Sequence, residues 1–126
     1  MKKKLIMLDM TCDPIHHGHI RLIKKASKLG KVIIATPTDK ELIKHKKKPI
    51  LKMKFRKEIL QSIKYVYKVI SSPYFINDKF LIKNKINFLI HGSDNRNNVS
   101  KNKLKIFPRT KNISSTLIVN KIKNKK

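Results

Sequence analysis

The chain alternates two kinds of apolar block, and this alternation limits its fold more than any other feature. Short, β-branched runs at residues 5–8, 32–35, 66–70, 88–90 and 104–107 read as buried strands. Longer stretches with helical spacing separate them. In residues 18–29 the apolar positions are Ile20, Leu22, Ile23, Ala26 and Leu29, with Gly30 as the stop. In residues 51–63, Phe55, Ile59, Leu60 and Ile63 fall on one helical face. A short helix runs from a capping Asp78 to Lys83, and Ser114 caps a last helix bearing Leu117, Ile118 and Ile122. Residues between the second strand and Pro49 read as a polar, basic loop. Strand and helix in alternation predict an α/β fold with a five-stranded parallel sheet flanked by helices. The 126 residues suit one domain, residues 1–126, with no repeat and no internal boundary.

Charge narrows the partners. Lysine and arginine total 32 against 7 acids, a net charge of +25. Only Arg21, Arg56, Arg96 and Arg109 are arginines, although arginine is the better reader of bases. The eight aromatics sit in apolar blocks and not among the charges, so no stacking platform for nucleic acid is visible. Specific nucleic-acid binding is therefore not expected, although nonspecific adhesion is. A single cysteine, Cys12, excludes an internal disulfide framework and fits a reducing compartment. No apolar run reaches the ~18 residues of a membrane span. The four apolar residues after the opening lysines are too few for a secretory signal, so a cytoplasmic location is expected.

In open parallel sheets, ligands bind beyond the carboxyl ends of the strands. The informative residues should then be 9–19, 36–39, 91–94 and 109–116. Four of the seven acids, Asp9, Asp13, Asp39 and Asp94, lie in these stretches. The first contains Thr11-Cys12-Asp13-Pro14-Ile15-His16-His17-Gly18-His19, where His16 and His19 flank a glycine at a helix start. A helix N-terminus offers free amides to phosphate, and two imidazoles beside it can donate as charge builds. The alternative, a metal pair, lacks a second pair of ligands. The last stretch, Arg109-Thr110-Lys111-Asn112-Ile113-Ser114-Ser115-Thr116, also leads into a helix. Its hydroxyls are an ordinary capping run that can also hold phosphate oxygens.

Together, His16-x-Gly18-His19 and Arg109-Thr110-x-x-Ile113-Ser114-Ser115-Thr116 resemble the cytidylyltransferase branch of the nucleotidyltransferase superfamily. Thr36-Pro37-Thr38-Asp39 resembles its turn after strand two, Arg56 to Ile70 its Arg-x-x-Ile-Leu stretch, and His91-Gly92-Ser93-Asp94 its Gly-Asp-Asp loop. The resemblance covers nearly the whole chain, whose length suits the minimal glycerol-3-phosphate cytidylyltransferases. It implies a Rossmann-like domain, usually a homodimer. It also implies that CTP and a small phosphorylated alcohol react to give a CDP-alcohol and pyrophosphate, with Mg²⁺ held mostly by the nucleotide and no metal-binding residues.

By that resemblance His16 and His19 stabilise the α-phosphoryl group and Lys47 neutralises phosphates. Thr11, Cys12, Gly18, Arg109, Thr110, Ser114 and Ser115 hold the nucleotide, and Asp94 contacts the nucleoside. Asp39, Lys47 and Arg56 serve the acceptor side, and Asp13 braces the first loop. The chain departs from the family at Met10, His45, Tyr67, Ser93, Lys111 and Asn112. Glycerol 3-phosphate is the expected acceptor, ahead of phosphocholine or phosphoethanolamine, since a choline cage asks for more aromatics. The alternatives are an ATP-dependent adenylyltransferase of the same superfamily and a non-catalytic basic module for nucleic acid or membrane surfaces.

Overall fold

A computed structural model describes residues 3–92 and 95–125. Its elements run β1 (Leu5–Asp9), α1 (His17–Ser27), β2 (Lys31–Pro37), α2 (Asp39–Lys44), α3 (Met53–Gln61), β3 (Val66–Ser72), α4 (Asp78–Lys83), β4 (Phe88–His91), β5 (Leu104–Ile106) and α5 (Ser115–Asn124). A short 3₁₀ turn, Lys101–Lys103, leads into β5. All four strand pairings are parallel, in the order β3-β2-β1-β4-β5. From β1 the chain first builds outward through β2 and β3, then returns to lay β4 and β5 on the other side. The order thus switches between β1 and β4, where Leu8 pairs with Ile90 and the two strands end side by side. A crevice is expected at that point.

Alternation along the central strands supplies two cores. Ile6 and Leu8 of β1, with Val32 and Ile34 of β2, pack against Ile23 and Ala26 of α1 and Leu60 of α3. Met7, Ile33 and Ala35 point to the opposite face, where they meet Ile76, Leu81 and Leu89. Each of the larger side chains contributes about 1.5–3 kcal/mol on burial. Strands buried on both faces explain why β1 and β2 read as unbroken apolar runs. Among the described residues no helix is long and apolar enough to cross a membrane.

Several expectations change. Residues 39–44, read as loop, form α2, with Thr38 Oγ1 accepting from the Glu41 amide as its N-cap. The cap of α4 is Asn77, not Asp78; the Asp78 carboxylate instead accepts from the amide and hydroxyl of Ser100. Gly30 does not end α1 by a left-handed turn, since no described glycine has positive φ. A Cβ there would lie 2.3 Å from the Lys4 carbonyl oxygen, so close strand approach is what requires glycine. The face of α3 is also rotated from the one expected. Phe55 and Ile59 are exposed, while Arg56 is buried beside Leu60.

Candidate functional site

His16 is the N-cap of α1, with extended backbone (φ −148°, ψ 177°). Its Nδ1 accepts from the Gly18 amide at 3.1 Å. In return its own amide donates to His19 Nδ1, also at 3.1 Å. The two rings stack with centroids 3.8 Å apart and planes 29° from parallel. This is a capping box in which imidazoles take the places of the usual hydroxyl and carboxylate. Gly18 allows it: a Cβ would lie 2.9 Å from His16 Cε1 and 3.2 Å from Ile113 Cγ2. Upstream, Cys12 has a left-handed φ of 54°, a conformation uncommon outside glycine. The neighbouring Thr11 carbonyl is held by the Arg56 guanidinium at 3.2 Å and the Thr36 hydroxyl at 3.4 Å.

The second loop reaches the same place from the far end of the chain. Ser114 caps α5, its Oγ accepting from the Leu117 amide at 3.1 Å. The Ser115 hydroxyl donates to the Pro14 carbonyl at 2.7 Å, joining the two loops directly. Ile113 lies against Gly18 between them. The two loops line one cavity of about 1060 Å³ at the carboxyl ends of the strands, and His16, His19, Arg109, Thr110, Ser114 and Ser115 all border it. Thr11, Cys12, Gly18 and Lys47 border it as well.

Two residues assigned to the acceptor do not reach the cavity. Arg56 is 1% exposed and spends its guanidinium on protein. It donates to the carbonyls of Leu51, Thr11 and Pro37, to Thr36 Oγ1 at 2.7 Å and to Asp39 Oδ1 at 3.0 Å. Asp39 also accepts from the Met53 amide, so its carboxylate caps α3 and neutralises Arg56. Asp13 has a similar use: its two oxygens accept from the Ile50 and Leu51 amides at 2.7 and 2.8 Å. Thus Asp13, Asp39 and Arg56 anchor the far end of the basic loop that carries Lys47 and Lys48 over the cavity. Asp94, expected at the nucleoside, lies outside the described residues, as does Ser93.

The ionisation of the site follows its geometry. Burial, helped by His17 and Arg109, holds His16 below the ordinary histidine range. Burial, then His16 and Arg109, brings His19 down to about 4. Burial pushes the Cys12 thiol up to about 12, so it supplies no thiolate near neutrality.

Two further groups border the cavity whose arrangement the sequence did not reveal. At the strand switch, Asp9 Oδ2 accepts from Asn97 Nδ2 at 2.7 Å and lies 3.4 Å from His91 Nε2. Its Oδ1 is shut off from solvent and has no hydrogen-bond partner among the described residues. Tyr74 and Phe75 also line the cavity; His45 stacks on Tyr74 at 4.0 Å, and Phe75 meets both rings edge-on. Position after a strand pointed to Asp9 and His91, but only the fold brings in Asn97. Among the described residues no group of three or more His, Cys, Asp or Glu side chains could hold a metal ion.

A cytidylyltransferase-like family model matches residues 8–121. The glycerol-3-phosphate cytidylyltransferase of Bacillus subtilis (strain 168) is 32% identical over 126 residues, covering 95% of this chain and 97% of that protein. The ethanolamine-phosphate cytidylyltransferase of Mus musculus is 32% identical over 91 residues, 71% of this chain. The FAD synthase of Archaeoglobus fulgidus is 38% identical over 64 residues. The match spans only 22% of the mouse protein and 47% of the archaeal one. In fold, the chain is similar to the crystal structure of the lipopolysaccharide core biosynthesis protein from Thermoplasma volcanium GSS1. The TM-score is 0.73 at 20% identity, covering 86% of this chain and 98% of that one.

Proposed function

The chain belongs to the cytidylyltransferase-like family, and from that premise we propose that it transfers CMP from CTP to a small phosphorylated alcohol, releasing pyrophosphate. One observation carries the reading. His16, His19 and the Arg109–Ser115 turn border one cavity, and the Ser115 hydroxyl bonds the two loops together. In the proposed reaction a phosphate oxygen of the acceptor attacks the α-phosphorus in line. The new P–O bond forms as the bond to the bridging oxygen breaks, and pyrophosphate leaves with that electron pair. Such a step needs positioning and charge stabilisation more than covalent help from protein. His16 and His19 donate to the α-phosphoryl oxygens as negative charge gathers there. Arg109, Thr110 and the α5 N-terminus hold the β- and γ-phosphates, and Lys47 closes over them from the basic loop.

In this reading Mg²⁺ would enter as a companion of the nucleotide. With no three-ligand cluster among the described residues, the phosphates themselves would supply most of its oxygens. When bound, it neutralises phosphate charge.

Glycerol 3-phosphate is the first acceptor to test, supported by the nearly end-to-end similarity to the Bacillus protein. The Asp9 pocket favours a second reading, a phosphorylated amino alcohol. The Asp9 carboxylate and the rings of Tyr74 and Phe75 all border the cavity, and an ammonium group is attracted to both kinds of group. The test is pyrophosphate release with each of the four nucleoside triphosphates and a panel of phosphorylated alcohols, with products identified by mass. A CDP-alcohol is the expected product, and turnover with ATP alone would overturn the choice of nucleotide. If the acceptor is an amino alcohol, Asp9→Asn should lower kcat/KM for it about tenfold or more while leaving the KM for CTP unchanged.

A further inference from the structure

The geometry points to one protonation state for the paired histidines: both imidazoles are neutral, carry their proton on Nε2, and meet phosphate as fixed dipolar donors, neither cations nor proton carriers. The reasoning starts from the capping box. A backbone N–H can only donate, and each ring receives one at Nδ1: His16 from Gly18, and His19 from His16. Each Nδ1 must therefore offer a lone pair. In a neutral imidazole, that places the proton on Nε2, across the ring from the capping bond. A second proton could enter only at Nδ1, where it would face the amide hydrogen and break the box.

The surroundings oppose that proton as well. The rings lie 3.8 Å apart, so two charged rings would repel face to face. The N-terminus of α1 adds its own positive end. His17 and Arg109 act against charge on His16, and Arg109 acts against it on His19. The nearest acid in sequence, Asp13, has both carboxylate oxygens engaged by the Ile50 and Leu51 amides. Positive charge around the cavity then comes from arginines and lysines, Arg109, Arg96, Lys47 and Lys48 among them, and the histidines contribute direction. A neutral donor held by the backbone does not have to lose or gain a proton during transfer. It strengthens only as charge builds on the oxygen it faces.

The protonation state stands on the free protein's geometry; its catalytic meaning rests on the function proposed above. The test is two-bond ¹H–¹⁵N correlation spectroscopy of the full chain labelled at histidine, alone and with CTP, from pH 7.5 to 5.5. Single His16→Asn and His19→Asn variants assign the two signals, since asparagine retains an acceptor for the capping amide. Should either fail to fold, replacing His17, His45 and His91 leaves only the two rings in question. Both should keep the Nε2–H pattern throughout, with no imidazolium at pH 6 and none on adding CTP. A proton on Nδ1 of either ring, alone or with CTP, overturns the inference. If the rings show the expected pattern but no CDP-alcohol forms, the functional proposal fails while this one stands.

Discussion

His19 should make the protein lose stability in mild acid, well before its carboxylates titrate. Its pKa falls from an ordinary 6.5 to about 4 in the fold, chiefly because burial disfavours the charged ring. A group depressed on folding stabilises the native state above its unfolded value. That contribution fades as pH falls toward the folded value, since only the unfolded chain takes up the proton. A tenfold difference in proton affinity corresponds to about 1.4 kcal/mol, so the whole preference is about 3 kcal/mol. Between pH 7 and 5, proton linkage removes about 2 kcal/mol of it. His16 moves in the same direction and adds to the slope. Urea unfolding at pH 7 and pH 5 measures the difference directly. The same pair of titrations on His19→Asn isolates His19 from His17, His45 and His91. The wild type should lose about 2 kcal/mol more than the variant. Equal losses in the two proteins would refute the claim that His19 is held neutral by the fold.

Three further outcomes are expected. His16→Ala should abolish turnover and also cost about 1 kcal/mol, because the imidazole is an N-cap, whereas His16→Asn should keep most of the stability and still be inactive; urea unfolding and CTP turnover on both variants check this. Arg56→Met should cost about 3–5 kcal/mol in chemical denaturation, because it removes a buried cation and leaves Asp39 and several carbonyls without their donor. Gly30→Ala should lower stability by about 1–3 kcal/mol, since its Cβ would press on the Lys4 carbonyl where β1 and β2 begin; wild-type stability in that variant would show that the strand ends can part without cost.

The strands were readable because Ile6–Leu8 and Val32–Ala35 are buried on both faces, and runs of that kind have few other uses. The two loops that meet at the cavity were readable because each follows a strand and opens a helix, a relation that survives without coordinates. Arg56 was not. Arginine in a basic stretch reads as surface, and only the Asp39 carboxylate and the carbonyls of Leu51, Thr11 and Pro37 make its burial tolerable. The place of α3 is legible but its rotation is not, because a helix of nine residues carries too few apolar positions to fix which face turns inward. The six residues of α2 give no usable period, and its cap, Thr38, looks like part of a turn. The carboxylate of Asp9 needed the fold, since its neighbours His91 and Asn97 come from the end of β4 and the stretch after it.

At least four of the seven acids accept hydrogen bonds from main-chain amides: Asp13, Asp39, Glu41 and Asp78. Negative charge in this molecule is thus largely committed to fastening loops. The net charge of +25 gives the molecule a positive field that reaches about one Debye length into solvent. A polyanion within that range is drawn toward the protein before it touches the cavity. The capture rate should accordingly fall steeply as salt is added, even where the turnover of bound molecules does not change.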